Sequence, residues 1–175
     1  MRTLVRSVGR ASIGGEPLPS SFRAFEANKI IIRRSEVSMF AGAPGAGKST
    51  LALALALKTN VPTLYISADT NAHTMAMRLA SMISGKSQSD VEQKLNTDVG
   101  WTKAVLQKGN HIVWSFESSP TLEDIDEEVQ AFEELWGCPP VAVFVDNLMD
   151  IATDGGEEFA SMRAIMKELK YLART

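Results

Sequence analysis

Apolar residues follow two alternating patterns along this chain: short continuous runs, and longer stretches with helical spacing. Runs typical of buried strands cover residues 37–41, 63–67, 112–116 and 141–145. Helical spacing predicts helices over residues 49–58, 70–83 and 162–172, and residues 84–109 are polar and predicted to be helical in part. Strands without polar alternation are typical of a parallel sheet covered on both faces. The pattern therefore predicts an α/β fold, a mostly parallel sheet flanked by helices.

The clearest helical pattern follows Pro120. Its apolar seam, with spacings of three and four residues, consists of Leu122, Ile125, Val129 and Phe132. Thr121 and Asp124 have the spacing of a capping box, in which each side chain satisfies a backbone N–H of the first turn. Most acids of this region therefore belong to the polar face of one amphipathic helix.

Composition narrows the class of protein. The chain has 175 residues with 45% hydrophobic content, which suits one domain with a real core. A single cysteine excludes a disulfide framework and a thiolate-rich zinc site. There is no apolar run of membrane-spanning length and no signal-peptide pattern, so we expect a soluble, cytoplasmic protein without a membrane partner.

Charge divides the chain unevenly. Residues 1–34 carry seven basic and two acidic side chains, whereas residues 117–158 carry thirteen acids and no Lys or Arg. We interpret residues 1–34 as a basic N-terminal arm and lead-in, and residues 35–175 as the α/β domain. The arm either contacts phosphates or is a solvated tail.

A glycine-rich loop lies between the first predicted strand and the first predicted helix. It satisfies the phosphate-loop pattern of Gly, four residues and Gly-Lys-Ser, and the predicted nucleotide-binding residues are Gly42, Ala43, Pro44, Gly45, Ala46, Gly47, Lys48, Ser49 and Thr50. Glycines let the loop curl so that backbone N–H groups face phosphate oxygens, and the following helix adds its positive end. Lys48 is placed to reach the β- and γ-phosphates, and the Ser49 hydroxyl is a predicted Mg²⁺ ligand. The sequence thus predicts a nucleoside-triphosphate site.

Two carboxylates at strand ends extend this site. Asp146 follows the apolar run at 141–145, so it lies at the same sheet edge as the loop and is a predicted second contributor to the Mg²⁺ shell. Asp69 follows the run at 63–67 and is the candidate catalytic base or water-positioning group. Its position equally permits Asp69 or Thr70 to cap the next helix. Asp150 and Asp154 are interpreted as solvated loop acids.

These motifs occur in the order and spacing of RecA-like ATPases, and residues 33–175 most resemble the ATPase domain of DnaB-type ring helicases, including phage versions. In that family a Glu closes the second strand as catalytic base, and Asp69 occupies this position with a side chain one bond shorter. The resemblance implies Mg²⁺-ATP as cofactor, DNA (single-stranded) as partner and a homo-oligomeric ring. It also implies a domain incomplete at its C-terminus, because the family continues into a γ-phosphate sensor, DNA-binding loops and a trans-acting arginine.

Three other functions stay open at this point. A recombinase-like repair ATPase shares the fold. A metal-dependent nuclease would use Asp69, Asp146 and Asp150 as metal ligands. A nucleotide-binding module without turnover would need only the phosphate loop. Trp101 either stacks on a base or closes a local core.

Overall fold

The computed structural model describes residues 15–152 and 158–174, with side chains of the last helix from Met162 onward. The chain divides into two compact units, residues 41–154 and residues 1–40 with 155–175. The sequence features before residue 15, and Asp154, lie outside the described residues.

The larger unit, residues 41–154, is built on a three-stranded parallel sheet. Its strands are β1 (Thr63–Ser67), β2 (Ile112–Ser115) and β3 (Ala142–Asp146), in the spatial order β2-β1-β3. The register pairs Tyr65 with both Trp114 and Phe144, and Ser67 with Asp146. All five residues of β1 are buried, as expected for a central strand covered on both faces. The predicted α/β class and parallel sheet are confirmed.

Helices separate the strands. Within this unit they are α2 (Lys48–Thr59), α3 (Ala72–Ser84), α4 (Gln88–Thr97), α5 (Val99–Leu106) and α6 (Leu122–Trp136). One face of the sheet packs against α2 and α3 through a cluster of buried residues, namely Leu53, Ala56, Tyr65, Met75, Leu79 and Ile112. Ile66 of β1 and Ile125 of α6 line one cleft, so α6 lies at the opposite face. The strand ends of β1 and β3 are thereby held at one edge of a packed sheet.

The capping box predicted for α6 is present. The Thr121 side chain accepts a hydrogen bond from the Asp124 N–H, and the Asp124 carboxylate accepts one from the Thr121 N–H. Ile125 and Phe132 of the predicted seam are buried, at 1% and 2% exposure. The amphipathic pattern therefore predicted both the start and the inner face of this helix.

The polar segment after α3 forms a small helical cluster. Ala80, Val91 and Val105 are its buried residues, and Trp101 packs against them half-buried, with the Lys94 ammonium 5.4 Å from its ring centroid. Of the two interpretations of Trp101, this packing supports closure of a local core.

The strand predicted over residues 37–41 is not formed, and that part of the prediction was wrong. Within residues 15–152 and 158–174, the sheet contains only the three strands above. Met39 is 66% exposed and Phe40 is 37% exposed, so this apolar run is not enclosed as a central strand would be. The reason is that a strand needs a hydrogen-bonding neighbour, and an apolar run does not supply one.

In the other unit, the described residues include α1 (Arg23–Ala27) and α7 (Glu158–Leu172). An isolated antiparallel bridge pairs Pro17 with Arg33, within the N-terminal segment 1–34 that the sequence analysis set apart. Helix α7 has one buried residue among those predicted to face inward, Ile165. The other predicted inward residues are half-buried, namely Met162, Met166, Leu169 and Leu172. Across the described ranges, no helix is both long and apolar enough to cross a bilayer.

Candidate nucleotide-binding site

The glycine-rich loop leads directly into α2. Gly45 and Gly47 have φ angles of 75° and 87°, in the left-handed region that glycine adopts without strain. The Ala46 N–H donates to the Ala43 carbonyl at 3.1 Å, which closes a tight turn inside the loop. A Cβ added at either position would meet no atom within 4 Å, so lack of space does not explain these glycines. The left-handed backbone conformation is the reason that glycine is favoured there.

Lys48, the first residue of α2, reaches back over the loop. Its ammonium donates to the Gly42 carbonyl at 3.0 Å and to the Ala43 carbonyl at 3.2 Å. The N-cap residue Gly47 supplies no side-chain cap, so no side chain occupies the N-terminal end of this helix as a cap. The arrangement places one positive charge and an uncapped helix N-terminus beside the same exposed loop, a favourable environment for an anion.

A hydrogen bond joins the loop to the end of β3. The Ser49 hydroxyl donates to Asp146 Oδ1 at 3.0 Å, across 97 residues of sequence. Asp146 is only 9% exposed, and its partner in this contact is a neutral hydroxyl. A hydroxyl and a carboxylate are the hard oxygen donors that Mg²⁺ prefers, so these two residues fit the predicted metal site chemically.

A third residue, Tyr65, contacts the same carboxylate. Its hydroxyl donates to Asp146 Oδ2 at 3.0 Å from the middle of β1. Burial raises the pKa of the Tyr65 hydroxyl, and the negative charge and hydrogen bond of Asp146 raise it further. The phenol therefore remains a donor. The sequence analysis did not identify Tyr65 as a site residue, and the available signal was a phenolic hydroxyl at the middle position of a predicted strand.

Asp69 lies two residues beyond the end of β1 and is exposed. The cap of α3 is Asn71, whose side chain accepts a hydrogen bond from the Thr74 N–H at 2.9 Å. Neither Asp69 nor Thr70 caps this helix. The alternative interpretation of Asp69 as a helix cap was therefore wrong, while its proposed catalytic role stays a prediction.

Asp150 differs from its predicted environment. One of its carboxylate oxygens, Oδ2, is buried, and no hydrogen-bond partner for it is found among the residues that the structure describes. The description of Asp150 as a solvated loop acid was wrong for this oxygen, because it is shielded from solvent at the end of the turn Leu148–Asp150. Over the same residues, no three His, Cys, Asp or Glu side chains come together as a metal cluster. The nuclease alternative, which needs Asp69, Asp146 and Asp150 to come together, gains no support.

Comparison with known proteins gives matches of three kinds. Residues 27–175 match the family model described as AAA domain. The chain is 32% identical over 165 residues to the Gene 65 protein of Mycobacterium phage L5, covering 91% of this chain and 61% of that protein. It is 32% identical over 143 residues to the Gene 65 protein of Mycobacterium phage D29, covering 75% of this chain and 58% of that protein.

A solved structure shares the fold. The match is a DnaB-like replicative helicase, in a structure that describes its interactions with primase, with a TM-score of 0.78 and 15% sequence identity. It covers 98% of this chain and 44% of the helicase chain. This chain spans about three fifths of the length of the two phage relatives. The RecA-like fold suggested by the motif order is confirmed by this likeness.

Proposed function

This chain belongs to the AAA domain family, and we propose that it is the Mg²⁺-ATP-binding and ATP-hydrolysing motor core of a DnaB-type DNA helicase. The observation that carries the proposal is the hydrogen bond from Ser49 to Asp146 at 3.0 Å. It links the phosphate loop to the acidic end of β3, the pairing of hydroxyl and carboxylate that phosphate-loop ATPases use around their metal ion.

In this proposal the phosphate loop binds the triphosphate through its backbone N–H groups and Lys48. When the nucleotide binds, the Lys48 ammonium exchanges the carbonyl oxygens of Gly42 and Ala43 for phosphate oxygens. A charged donor gains more from an anionic acceptor than from a neutral carbonyl, which favours the exchange. Gly45 and Gly47 supply the left-handed backbone that the loop adopts.

The metal ion would be held by Ser49 and, through water, by Asp146. Bound Mg²⁺ neutralises charge on the β- and γ-phosphate oxygens. The Ser49 oxygen has a lone pair available for the metal while its proton remains donated to Asp146. Asp146 therefore acts as an acceptor that orients the hydroxyl.

Asp69 is the proposed water-positioning carboxylate. It is exposed, and its neighbour Asn71 provides the cap of α3, so the Asp69 carboxylate is not committed to that cap. Parallel strands present their C-terminal ends at one edge, which puts the ends of β1 and β3 on the same side as the loop. A carboxylate there can accept a proton from water that attacks the γ-phosphorus.

The helicase part of the proposal draws on the shared fold and the phage relatives. We propose single-stranded DNA as the partner, a homo-oligomeric ring as the working assembly and the cytoplasm as the location. A recombinase-like ATPase would use the same nucleotide site. The helicase and the recombinase-like function would therefore be distinguished by the effect of DNA on the rate of ATP hydrolysis and by whether the protein separates DNA strands.

The test measures ATP hydrolysis and DNA processing by the purified chain and by a chain extended to the length of the phage relatives. We expect Mg²⁺-dependent ATP binding by the 175-residue chain, abolished turnover in Lys48→Ala, and unwinding of a forked duplex by the longer chain. Strand exchange without unwinding would favour the recombinase alternative. Metal-dependent DNA cleavage that survives Lys48→Ala and disappears in Asp146→Ala would contradict the proposal.

A further inference from the structure

A row of three aromatic rings crosses the sheet at one register position. Tyr65 in the central strand β1 is paired with Trp114 of β2 on one side and Phe144 of β3 on the other. Its ring centroid lies 5.0 Å from that of Trp114 and 5.6 Å from that of Phe144. Tyr65 is 0% exposed. A ring enclosed in this way has little rotational freedom, so the position of its hydroxyl is defined by the sheet.

The hydroxyl of this ring is directed at the carboxylate of the nucleotide site. It donates to Asp146 Oδ2 at 3.0 Å, while Ser49 donates to Asp146 Oδ1 at 3.0 Å. Each carboxylate oxygen therefore has its own donor. One contact comes from Ser49, next to the glycine-rich loop, and the other from the interior of the sheet.

The two donors differ in what they can do when a nucleotide binds. Ser49 is part of the phosphate loop and is the residue that would contact the metal. Tyr65 belongs to the centre of the sheet, between two paired strands, and cannot follow a movement of the loop. Tyr65 is therefore a donor to the Asp146 carboxylate that does not belong to the phosphate loop.

We propose that Tyr65 is a positioning residue, which acts through Asp146 to set the Mg²⁺ affinity of the nucleotide site. This inference rests on the proposed function and assigns to the aromatic row a role beyond packing. Tyr65 contacts neither nucleotide nor metal in the proposal. Hydrogen-bond partners of direct metal ligands typically affect metal affinity by about 10- to 100-fold. Tyr65 would act one step further out, through Asp146 and a water, so we expect an effect at the lower end of this range.

The decisive variant is Tyr65→Phe, which retains the ring between Trp114 and Phe144 and removes only the hydroxyl. The matched control is Tyr171→Phe, the same chemical change at the other tyrosine of the chain, whose side chain is 65% exposed. Binding of a fluorescent ATP analogue is measured first with EDTA and then over a titration with Mg²⁺. Circular dichroism and thermal unfolding of each variant verify that the fold is retained.

We expect Tyr65→Phe to bind the analogue in EDTA within about twofold of the wild type, and to need roughly tenfold more Mg²⁺ for half-maximal enhancement of binding. Tyr171→Phe should match the wild type in both conditions. A purely structural role would lower binding with and without metal alike. Wild-type Mg²⁺ dependence in a folded Tyr65→Phe chain would overturn the inference.

The same measurements distinguish failure of the proposed function from failure of the inference about Tyr65. If the wild-type chain binds no ATP analogue, or if Lys48→Ala binds it as well as the wild type, the nucleotide site itself is wrong and the inference falls with it. If the wild type binds and Lys48→Ala does not, a normal Mg²⁺ titration of Tyr65→Phe overturns the inference alone.

A second measurement covers the case in which Tyr65→Phe fails to fold. In a Tyr171→Phe chain labelled with 3-fluorotyrosine, residue 65 carries the single ¹⁹F label. We expect its resonance to shift when Mg²⁺ is added to the nucleotide-saturated protein, and this metal-induced shift to be lost in Asp146→Ala. A resonance that Mg²⁺ leaves unchanged would overturn the inference.

Discussion

The side chain of Asn71 accepts a hydrogen bond from the Thr74 N–H at 2.9 Å and thereby caps α3. This contact has a consequence for Asp69, which lies two residues earlier, just past β1. The cap position is already filled by an amide side chain. Asp69 is exposed just past the end of β1, at the sheet edge where Ser67 pairs with Asp146, so its carboxylate is free of the cap for the proposed water-positioning role.

Replacing Asp69 with Asn should leave ATP binding intact and lower turnover by about 10²-fold or more, because the amide cannot accept a proton from water. Asp69→Glu should retain or raise the rate, since it supplies the longer carboxylate that the resemblance to DnaB-type ATPases implies at this position. Steady-state phosphate release and binding of a fluorescent ATP analogue measure the two effects separately. A turnover rate in Asp69→Asn equal to that of the wild type would remove Asp69 from the mechanism.

Replacing Lys48 with Ala should weaken ATP binding roughly ten- to a hundredfold, because a charge-assisted contact of about 1.5–3 kcal/mol is lost. Lys103→Ala, an exposed position on α5, is the matched control and should bind like the wild type. Titration of a fluorescent ATP analogue measures both variants, with circular dichroism to verify the fold. Equal affinities for wild type and Lys48→Ala would reject the phosphate-loop assignment.

Phe132 and Leu135 provide a paired test of how α6 packs. Phe132 is 2% exposed and stacks on Trp136, whereas Leu135 is 72% exposed. Phe132→Ala should lower the free energy of unfolding by about 3–5 kcal/mol, because it removes a buried ring and leaves a cavity. Leu135→Ala should change it by less than about 0.5 kcal/mol. Urea unfolding followed by circular dichroism gives both values, and similar losses would show that α6 packs through another face.

The capping box of α6 predicts a dependence of stability on pH. Hydrogen bonds from the Thr121 backbone and side chain lower the pKa of Asp124 below its usual 3.8. In the window between that value and the lower folded pKa, the unfolded state binds more protons than the folded state, so stability increases with pH. The contribution of Asp124 is complete above pH 3.8 and is lost as the pH falls through the folded pKa.

Asp124→Asn should therefore be less stable than the wild type at neutral pH and show a smaller loss of stability on acidification. Glu123→Gln, in the same first turn of α6 but outside the capping box, is the control and should follow the wild-type pH profile. Urea midpoints between pH 3 and pH 7 measure this difference. Parallel profiles for Asp124→Asn and the wild type would show that the carboxylate hydrogen bonds do not stabilise the helix.

The sequence by itself determined the features that depend on neighbouring residues. The capping box and the strand at 63–67 were correctly identified, and Gly45 and Gly47 adopt the left-handed backbone that a tight glycine-rich loop requires, because glycine conformation, capping and side-chain periodicity act within a few residues. Binding of phosphate by this loop stays a prediction. The parallel arrangement also followed, since strands that are separated by helices and show no regular apolar–polar alternation are typical of a parallel sheet covered on both faces.

Tertiary structure decided which groups meet. Residues 37–41 have the apolar pattern of a strand, yet pairing depends on a neighbour that the run itself does not specify. The contact between Tyr65 and Asp146 joins residues 81 positions apart, and it exists because Ser67 pairs with Asp146 in the register of β1 and β3. Long-range register is set by the packing of the whole sheet, and no local pattern around Tyr65 encodes it.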